Sequence, residues 1–163
     1  LAELGSLSER RIAKLIDPSY SGLPCFLVEN EGLNSGFMIA HVTAAALVSE
    51  NRLLTHPSST DSIPTNNEKE DHVSMGPMAA RKAKTILENV EMILAIEMLC
   101  AAQALNLREP LKPGIGAAWL LKQVRALVPR LKTDRVLTPD IEAITGIIRS
   151  GALHSGARKE GLL

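Results

Sequence analysis

Apolar residues recur at helical spacing along most of the chain, with polar residues on the opposite faces. From Leu1 to Ile16 this spacing predicts a first helix, which the Pro and Gly residues of DPSYSGLP end near Asp17. Further apolar runs predict helices over Phe37 to Leu54, about Ser74 to Leu105, Ile115 to Leu131, and Thr138 to Gly151. The two-residue alternation typical of strands is absent. The pattern therefore predicts an all-α protein, a long-helix bundle.

Capping residues indicate where two of these helices begin. Ser74 can cap the longest helix, and Asp71 is an alternative start a few residues earlier. Thr138 is a second candidate cap, because the Pro139 that follows it is well tolerated at a first helical position. Gly151 should end the last helix.

Three segments lack a helical pattern. The stretch GLPCFLVENEGLNSG predicts a packed irregular loop, with Gly36 at a close backbone approach and Phe37 in the core. A polar loop of about eighteen residues runs from Leu54 to Asp71, and loops of this length are usually functional or disordered. The tail HSGARKEGLL is expected to fray.

The second half of the longest helix, EMILAIEMLCAAQAL, is apolar on nearly every side. Such a helix needs other protein around it, and we expect self-association to supply part of that cover. A membrane span is not predicted, because the run is shorter than about 20 residues and contains Glu91, Glu97 and Gln103. Because a lone buried carboxylate is unfavourable, Glu97 is predicted to pair with an Arg of a neighbouring helix or subunit.

Composition narrows the function classes. The chain has 163 residues, 45% of them apolar, which suffices for one domain with a core. Its 18 basic and 18 acidic residues cancel, so nothing in its net charge favours nucleic acid or an anionic membrane as a partner. Cys25 and Cys100 are far apart in sequence, as expected for reduced thiols in the cytoplasm. The four His lack metal-ligand spacing, so no metal site is predicted.

The first residues already have helical character, with no initiator Met and no cap before them. From this opening we expect the chain to be a piece of a larger protein.

Several motifs, in this order and spacing, resemble the C-terminal third of the histidine ammonia-lyase family, within the aromatic amino acid ammonia-lyases. They are SLSERR, GLPCFLVENEGLNSGFMIAHVTAAALVSEN, HPSSTDSIPT, EDHVSMGPMAARK, LAIEMLCAAQAL and DRVLTPDIEA. The resemblance implies a C-terminal helical portion over residues 1–163, with an active-site segment at 55–73 and terminal helices at 111–151. It also implies a homotetramer whose active sites take residues from three subunits.

The resemblance further implies a methylidene-imidazolone cofactor formed from an Ala-Ser-Gly tripeptide in the N-terminal part of the enzyme. This chain has no such tripeptide, since its Ser-Gly pairs follow Tyr20, Asn34, Arg149 and His154. The family's catalytic Tyr and its carboxylate-binding Arg also lie upstream. We therefore expect no cofactor within this chain and no activity from it alone.

The EDHVSM motif carries the implied site residues. In the family its Glu, here Glu70, lines the substrate pocket near the imidazole, and Asn66 falls where members place a residue near the substrate amine. A carboxylate accepts a charge-assisted hydrogen bond from an imidazole N–H, whereas facing a phenyl ring it would only be desolvated. The alternative is that Glu70 merely interacts with the dipole of the next helix.

Lys69 and His72, close to Glu70 in sequence, each have two possible roles. The family mostly has Gln where this chain has Lys69, which could compete for the Glu70 carboxylate or extend into solvent. His72 could act as a general base, but a structural hydrogen bond at the helix start is favoured.

The expected activity is that of a carbon–nitrogen lyase that deaminates L-histidine to trans-urocanate and ammonia, with this chain as its C-terminal part. One alternative is another aromatic amino acid ammonia-lyase or a 2,3-aminomutase with the same cofactor. The other is a helical scaffold protein without catalysis.

Overall fold

Helices account for all the regular structure of the chain in the computed structural model, which describes residues 1–163. The α-helices are α1 (Ala2–Ile16), α2 (Pro18–Ser21), α3 (Met38–Leu54), α4 (Gly76–Leu107), α5 (Ile115–Leu127), α6 (Thr138–Arg149) and α7 (Ala152–Lys159). Short 3₁₀ turns cover Cys25–Leu27 and Ser58–Asp61. The strand-like pairs are two isolated bridges, Glu31 with Asn34 and Thr65 with Glu70. The predicted all-α class is confirmed.

Helix α4 is the axis of the fold. Its 32 residues span about 48 Å at 1.5 Å per residue, and α1, α3, α5 and α6 all pack against it. The core lies along these contacts, where Ile12, Ile93, Ile96 and Ile144 are completely buried.

The chain itself covers much of the apolar second half of α4. Ala95 and Cys100 are fully buried there and Leu99 nearly so, because α1, α3 and α6 pack against α4. The chain itself therefore supplies part of the cover that this surface needs, and self-association stays a prediction. By length and composition α4 could cross a membrane, but 56% of its most apolar window is buried inside the protein, as in a core helix.

The carboxylates of α4 are paired within the chain. Arg11 Nη2 lies 2.7 Å from Glu97 Oε1, and the Ser8 hydroxyl donates to Glu97 Oε2 at 2.6 Å. Arg149 Nη2 lies 2.7 Å from Glu91 Oε2. The prediction that Glu97 pairs with an Arg of a neighbouring helix is confirmed, and the partner is on α1.

Helix α5 ends at Leu127, four residues before the predicted Leu131. Pro129 explains the early end, since a residue before Pro is driven out of the helical region, and Val128 is extended with φ −128° and ψ 121°. Gln103 of α4 then holds the chain beyond the helix. Its amide N–H groups donate to the Leu27 and Leu131 carbonyls at 3.1 and 2.7 Å, and its oxygen accepts the Leu131 N–H at 3.1 Å.

Each predicted cap is off by one residue: Ser74 lies one residue before the N-cap of α4, and Thr138 lies one residue after the N-cap of α6. The N-cap residues are Met75 for α4 and Leu137 for α6, and neither makes a side-chain capping bond. The Ser74 hydroxyl does accept the Gly76 N–H, at 3.3 Å. Thr138 is the first helical residue of α6 rather than its cap.

The C-terminal tail forms α7, so its predicted fraying is wrong. Gly151 has φ +72° and turns the chain after α6, as expected of a helix-ending Gly. Helix α7 is held by burial of Ala157 and by the close approach of Gly156 to Trp119 of α5, where a Cβ would lie 2.9 Å from the ring.

The irregular loop before α3 is packed, as predicted. Gly36 has φ +54°, and a Cβ there would lie 2.5 Å from the Phe26 carbonyl oxygen, while Phe37 is buried in the core. The Asp134 carboxylate accepts the Ser35 and Gly36 N–H groups at 2.7 and 2.8 Å. These backbone hydrogen bonds lower the pKa of Asp134.

Candidate functional site

The segment between α3 and α4, residues 55–75, is a surface loop held by one contact to α4 near its start and by bonds between two of its own residues. Near its start, the Lys82 ammonium of α4 donates to the His56 carbonyl. Further on, the Ser62 hydroxyl donates to the Val73 carbonyl at 3.0 Å and accepts the Val73 N–H at 2.8 Å. Ser62 and Val73 therefore close the ten residues between them into a loop.

Within that loop, Thr65 and Glu70 face each other across a small hairpin, defined here as residues 65–70. The Thr65 N–H donates to the Glu70 carbonyl at 3.0 Å, and the Glu70 N–H donates to the Thr65 carbonyl at 3.4 Å. Residues paired in this antiparallel way place their side chains on the same face. The Thr65 hydroxyl accordingly donates to Glu70 Oε2 at 2.9 Å.

The turn of the hairpin uses left-handed backbone at three consecutive positions. Asn66, Asn67 and Glu68 have φ of 54°, 54° and 63°. Asn adopts this region more readily than most residues, which explains why the sequence NNEK can form the turn. The Lys69 N–H donates to the Asn66 carbonyl at 3.2 Å and completes it.

The structure tests the helix-start roles considered for Glu70 and its neighbours. Helix α4 begins at Gly76 and has no acidic residue in its first turn, so the helix-dipole role for Glu70 is wrong. Lys69 is exposed and makes no ion pair with Glu70 within the chain, which agrees with the solvent alternative. The predicted structural hydrogen bond of His72 is also wrong, since its exposed ring bonds to nothing in the chain.

The hairpin brings the two predicted site residues together. Asn66 and Glu70 are both exposed and lie on the same turn. The Asn66 amide bonds to no other group of the chain, and Glu70 Oε1 is likewise free of a partner, since Thr65 engages Oε2. An amide and a carboxylate oxygen are therefore available to bind a ligand that carries N–H groups.

The chain offers few other groups for metal binding or thiol chemistry. No cluster of three or more His, Cys, Asp or Glu side chains could hold a metal ion. Cys25 and Cys100 are both unpaired, and burial raises the pKa of the Cys100 thiol.

The Ser-Gly pairs do not fit a cofactor built from a cyclised tripeptide. None follows Ala, and all four are fixed by the fold. Ser21-Gly22 and Ser150-Gly151 end α2 and α6, and Ser155-Gly156 lies inside α7. Both N–H groups of Ser35-Gly36 are bound by Asp134. Such a cofactor would have to come from residues outside this chain.

Comparison with known proteins places the chain in a family. A family model described as aromatic amino acid lyase matches residues 1–126. The chain belongs to the aromatic amino acid lyase family. It is 53% identical over 158 residues to the histidine ammonia-lyase of Myxococcus xanthus, covering 97% of this chain and 31% of that protein.

Solved structures of aromatic amino acid lyase relatives share the fold. The crystal structure of histidine ammonia-lyase from Trypanosoma cruzi matches 97% of this chain with a TM-score of 0.93 and 51% identity. A tyrosine aminomutase from Streptomyces globisporus matches 98% of it with a TM-score of 0.91 and 41% identity. The chain spans 31% of the length of each of these relatives.

Sequence reasoning missed the two hydroxyl residues that build the site. Ser62 closes the loop and Thr65 contacts Glu70, yet neither stands out in the sequence beside the charged residues. The available signal was Thr followed by two Asn, since Asn favours turns. A turn at 66–69 would have placed Thr65 opposite Glu70.

Proposed function

We propose that this chain is the C-terminal part of a histidine ammonia-lyase, which converts L-histidine to trans-urocanate and ammonia. One observation carries the proposal: Glu70 is held on the hairpin with one carboxylate oxygen bound by Thr65 and the other free. The identity of 51–53% to two histidine ammonia-lyases supports the same assignment.

Glu70 would bind the imidazole ring of the substrate. Its free oxygen can accept an imidazole N–H, and its negative charge favours a ring that becomes cationic. A hydrogen bond to a charged group contributes about 1.5–3 kcal/mol. Asn66, on the same hairpin, would contact the substrate near its amine.

The rest of the active site would come from outside this chain. We propose that the N-terminal part of the same enzyme contributes the Ala-Ser-Gly tripeptide of the methylidene-imidazolone, the Tyr base and the Arg that binds the substrate carboxylate. That cofactor supplies the electrophile of the reaction. The enzyme would be a cytoplasmic homotetramer, and this chain alone would be inactive.

A second candidate is another aromatic amino acid ammonia-lyase or a 2,3-aminomutase with the same cofactor. The 41% identity to a tyrosine aminomutase supports this second candidate. A carboxylate facing a phenyl or phenol ring would lose hydration without gaining an N–H partner, so Glu70 favours histidine.

The first prediction tests Glu70 in the full-length enzyme. Glu70→Gln keeps the size of the side chain and removes its charge, so kcat/KM for histidine should fall roughly tenfold or more. Steady-state urocanate formation measures the effect, and the thermal midpoint should stay near that of the parent. Turnover of phenylalanine or tyrosine should rise, because an amide loses less than a carboxylate beside an apolar ring.

The matched control is Glu68→Gln, which removes the same charge from an exposed residue of the same hairpin. It should leave histidine kinetics close to those of the parent. Unchanged kinetics in Glu70→Gln would contradict the proposed role of Glu70. A full-length protein that contains the tripeptide but shows no lyase activity on any aromatic amino acid would instead support the scaffold alternative.

A further inference from the structure

The hydroxyl of Thr65 is the only side-chain group of the chain that forms a hydrogen bond with the Glu70 carboxylate. A Thr hydroxyl carries a single proton, and here that proton is donated to Glu70 Oε2 over 2.9 Å. The bond therefore makes the two carboxylate oxygens of Glu70 different from each other. Oε2 is engaged within the hairpin, and Oε1 is left without a partner in the chain.

The position of this hydroxyl is well defined. The Thr65 N–H and C=O are both bonded to the backbone of Glu70, so the two residues cannot slide past each other without breaking the pair. Thr is branched at Cβ, which restricts its χ1 angle. A fixed backbone and few rotamers keep the donor within reach of Glu70 without help from the core.

Glu70, by contrast, has little else to hold its side chain. It is exposed, and Glu loses much rotamer freedom when it is fixed in one conformation. A carboxylate that is already oriented binds a ligand better than a mobile one, since the ordering does not have to occur on binding.

We propose that Thr65 is a positioning residue for Glu70, whose hydroxyl holds Oε2 so that Oε1 is the oxygen that accepts the substrate imidazole N–H. This inference rests on the proposed function of Glu70. Thr65 acts through Glu70 and does not itself touch the substrate. The hydroxyl, rather than the size or branching of the side chain, is the group that matters.

The test uses three variants of the full-length enzyme. Thr65→Val keeps the branching and both backbone bonds but removes the hydroxyl, and should lower kcat/KM for histidine roughly tenfold. The loss should appear mainly as a higher KM, because Glu70 contacts the ring both before and during the reaction. Thr65→Ser keeps the hydroxyl and should stay within about twofold of the parent. Thr65→Ala replaces the Val variant in the assay if the latter is insoluble.

The matched control is Thr85→Val in α4. The Thr85 hydroxyl bonds only to the Arg81 carbonyl of its own helix, at 3.2 Å, so removing it should leave the kinetics unchanged. A double variant, Thr65→Val with Glu70→Gln, should be little worse than Glu70→Gln alone, because Thr65 acts only through the carboxylate.

The outcomes separate the two proposals. If Glu70→Gln is impaired but Thr65→Val is not, the positioning role is wrong and the proposed function stands. If Thr65→Ser loses as much as Thr65→Val, or the double variant shows the full product of both losses, the positioning role is also wrong. If Glu70→Gln itself has no effect, the proposed function fails and the positioning role fails with it.

Discussion

Gly36 shows how a single residue fixes the irregular loop before α3. Its φ of +54° lies in the left-handed region, and a Cβ would sit 2.5 Å from the Phe26 carbonyl oxygen and 2.8 Å from the Val28 side chain. The neighbouring N–H groups are held by Asp134, 98 and 99 residues further along the chain. This loop cannot move aside without losing those bonds.

Replacing Gly36 should therefore destabilise the protein more than replacing a glycine with open space around it. Gly36→Ala adds backbone strain and overpacking, together about 2–4 kcal/mol. Gly32, with φ +88°, has no atom within 4 Å of an added Cβ, so Gly32→Ala should cost only about 1–2 kcal/mol. Denaturant unfolding of both variants measures the difference, and equal losses would contradict the steric argument.

Some of these residue roles could be predicted from the sequence, and others could not. Gly36 followed from its place in an apolar loop, and the partner of Glu97 followed from the unfavourable burial of a lone carboxylate. Asp134 could not be assigned to Ser35 and Gly36, because that contact joins the segment before α6 to the segment before α3, 98 and 99 residues apart in sequence. The hairpin contact of Thr65 is local in sequence. Its hydroxyl could form a hydrogen bond with many groups, however, so its partner cannot be predicted without the backbone conformation.

At the scale of elements, Glu9 links α1 to α3. Its carboxylate is buried and lies 2.5 Å from Arg10 Nη2 and 2.8 Å from His41 Nε2 of α3. The hydrogen bond from Arg10, followed by that from His41, lowers the pKa of Glu9 below its usual 4.5, although burial acts in the opposite direction.

This shift predicts a pH dependence of stability. Because the pKa of Glu9 is lower in the folded state, its contribution is complete above about pH 4.5 and is lost as pH falls through the lowered value. Glu9→Gln should therefore be less stable than the parent at neutral pH, and the difference should shrink on acidification. Thermal midpoints measured from pH 7 to pH 3 check this. Glu142→Gln, at an exposed acid of α6, is the control, and a difference for Glu9→Gln that stays constant with pH would contradict the argument.

The helix ends show why elements are easier to predict than their boundaries. The apolar spacing of α1, α3 and α4 was enough to place them, since each buries one long face. The end of α5 was missed because Pro129 was given too little weight against a continuing apolar pattern. Helix α7 could not be predicted, because its stability depends on packing against Trp119 of α5.

At the scale of the whole molecule, large apolar side chains remain uncovered on α1. Leu4 and Leu7 are each more than half exposed and lie three residues apart, on one face of the helix. Apolar side chains gathered on one face are typical of interaction surfaces. This face, rather than the buried half of α4, is where we expect copies of the chain to associate.

Sedimentation velocity at micromolar concentration tests the association. The chain should form oligomers, and Leu4→Gln with Leu7→Gln should shift it toward monomer with little change in thermal midpoint, because neither side chain is in the core. Leu33→Gln, at an isolated leucine that is 84% exposed, should not change the distribution. A parent chain that sediments as a monodisperse monomer would contradict the prediction.

The hairpin at residues 65–70 has a consequence for how such an enzyme could change over evolution. All six of its residues are exposed, and the Ser62 to Val73 bonds close the loop beneath it. The core therefore sets few constraints on which residues the hairpin carries. If the hairpin binds substrate as proposed, substitutions there should change recognition with little effect on folding. A lineage could acquire a new substrate preference through these six positions while α1, α3 and α4 stay as they are.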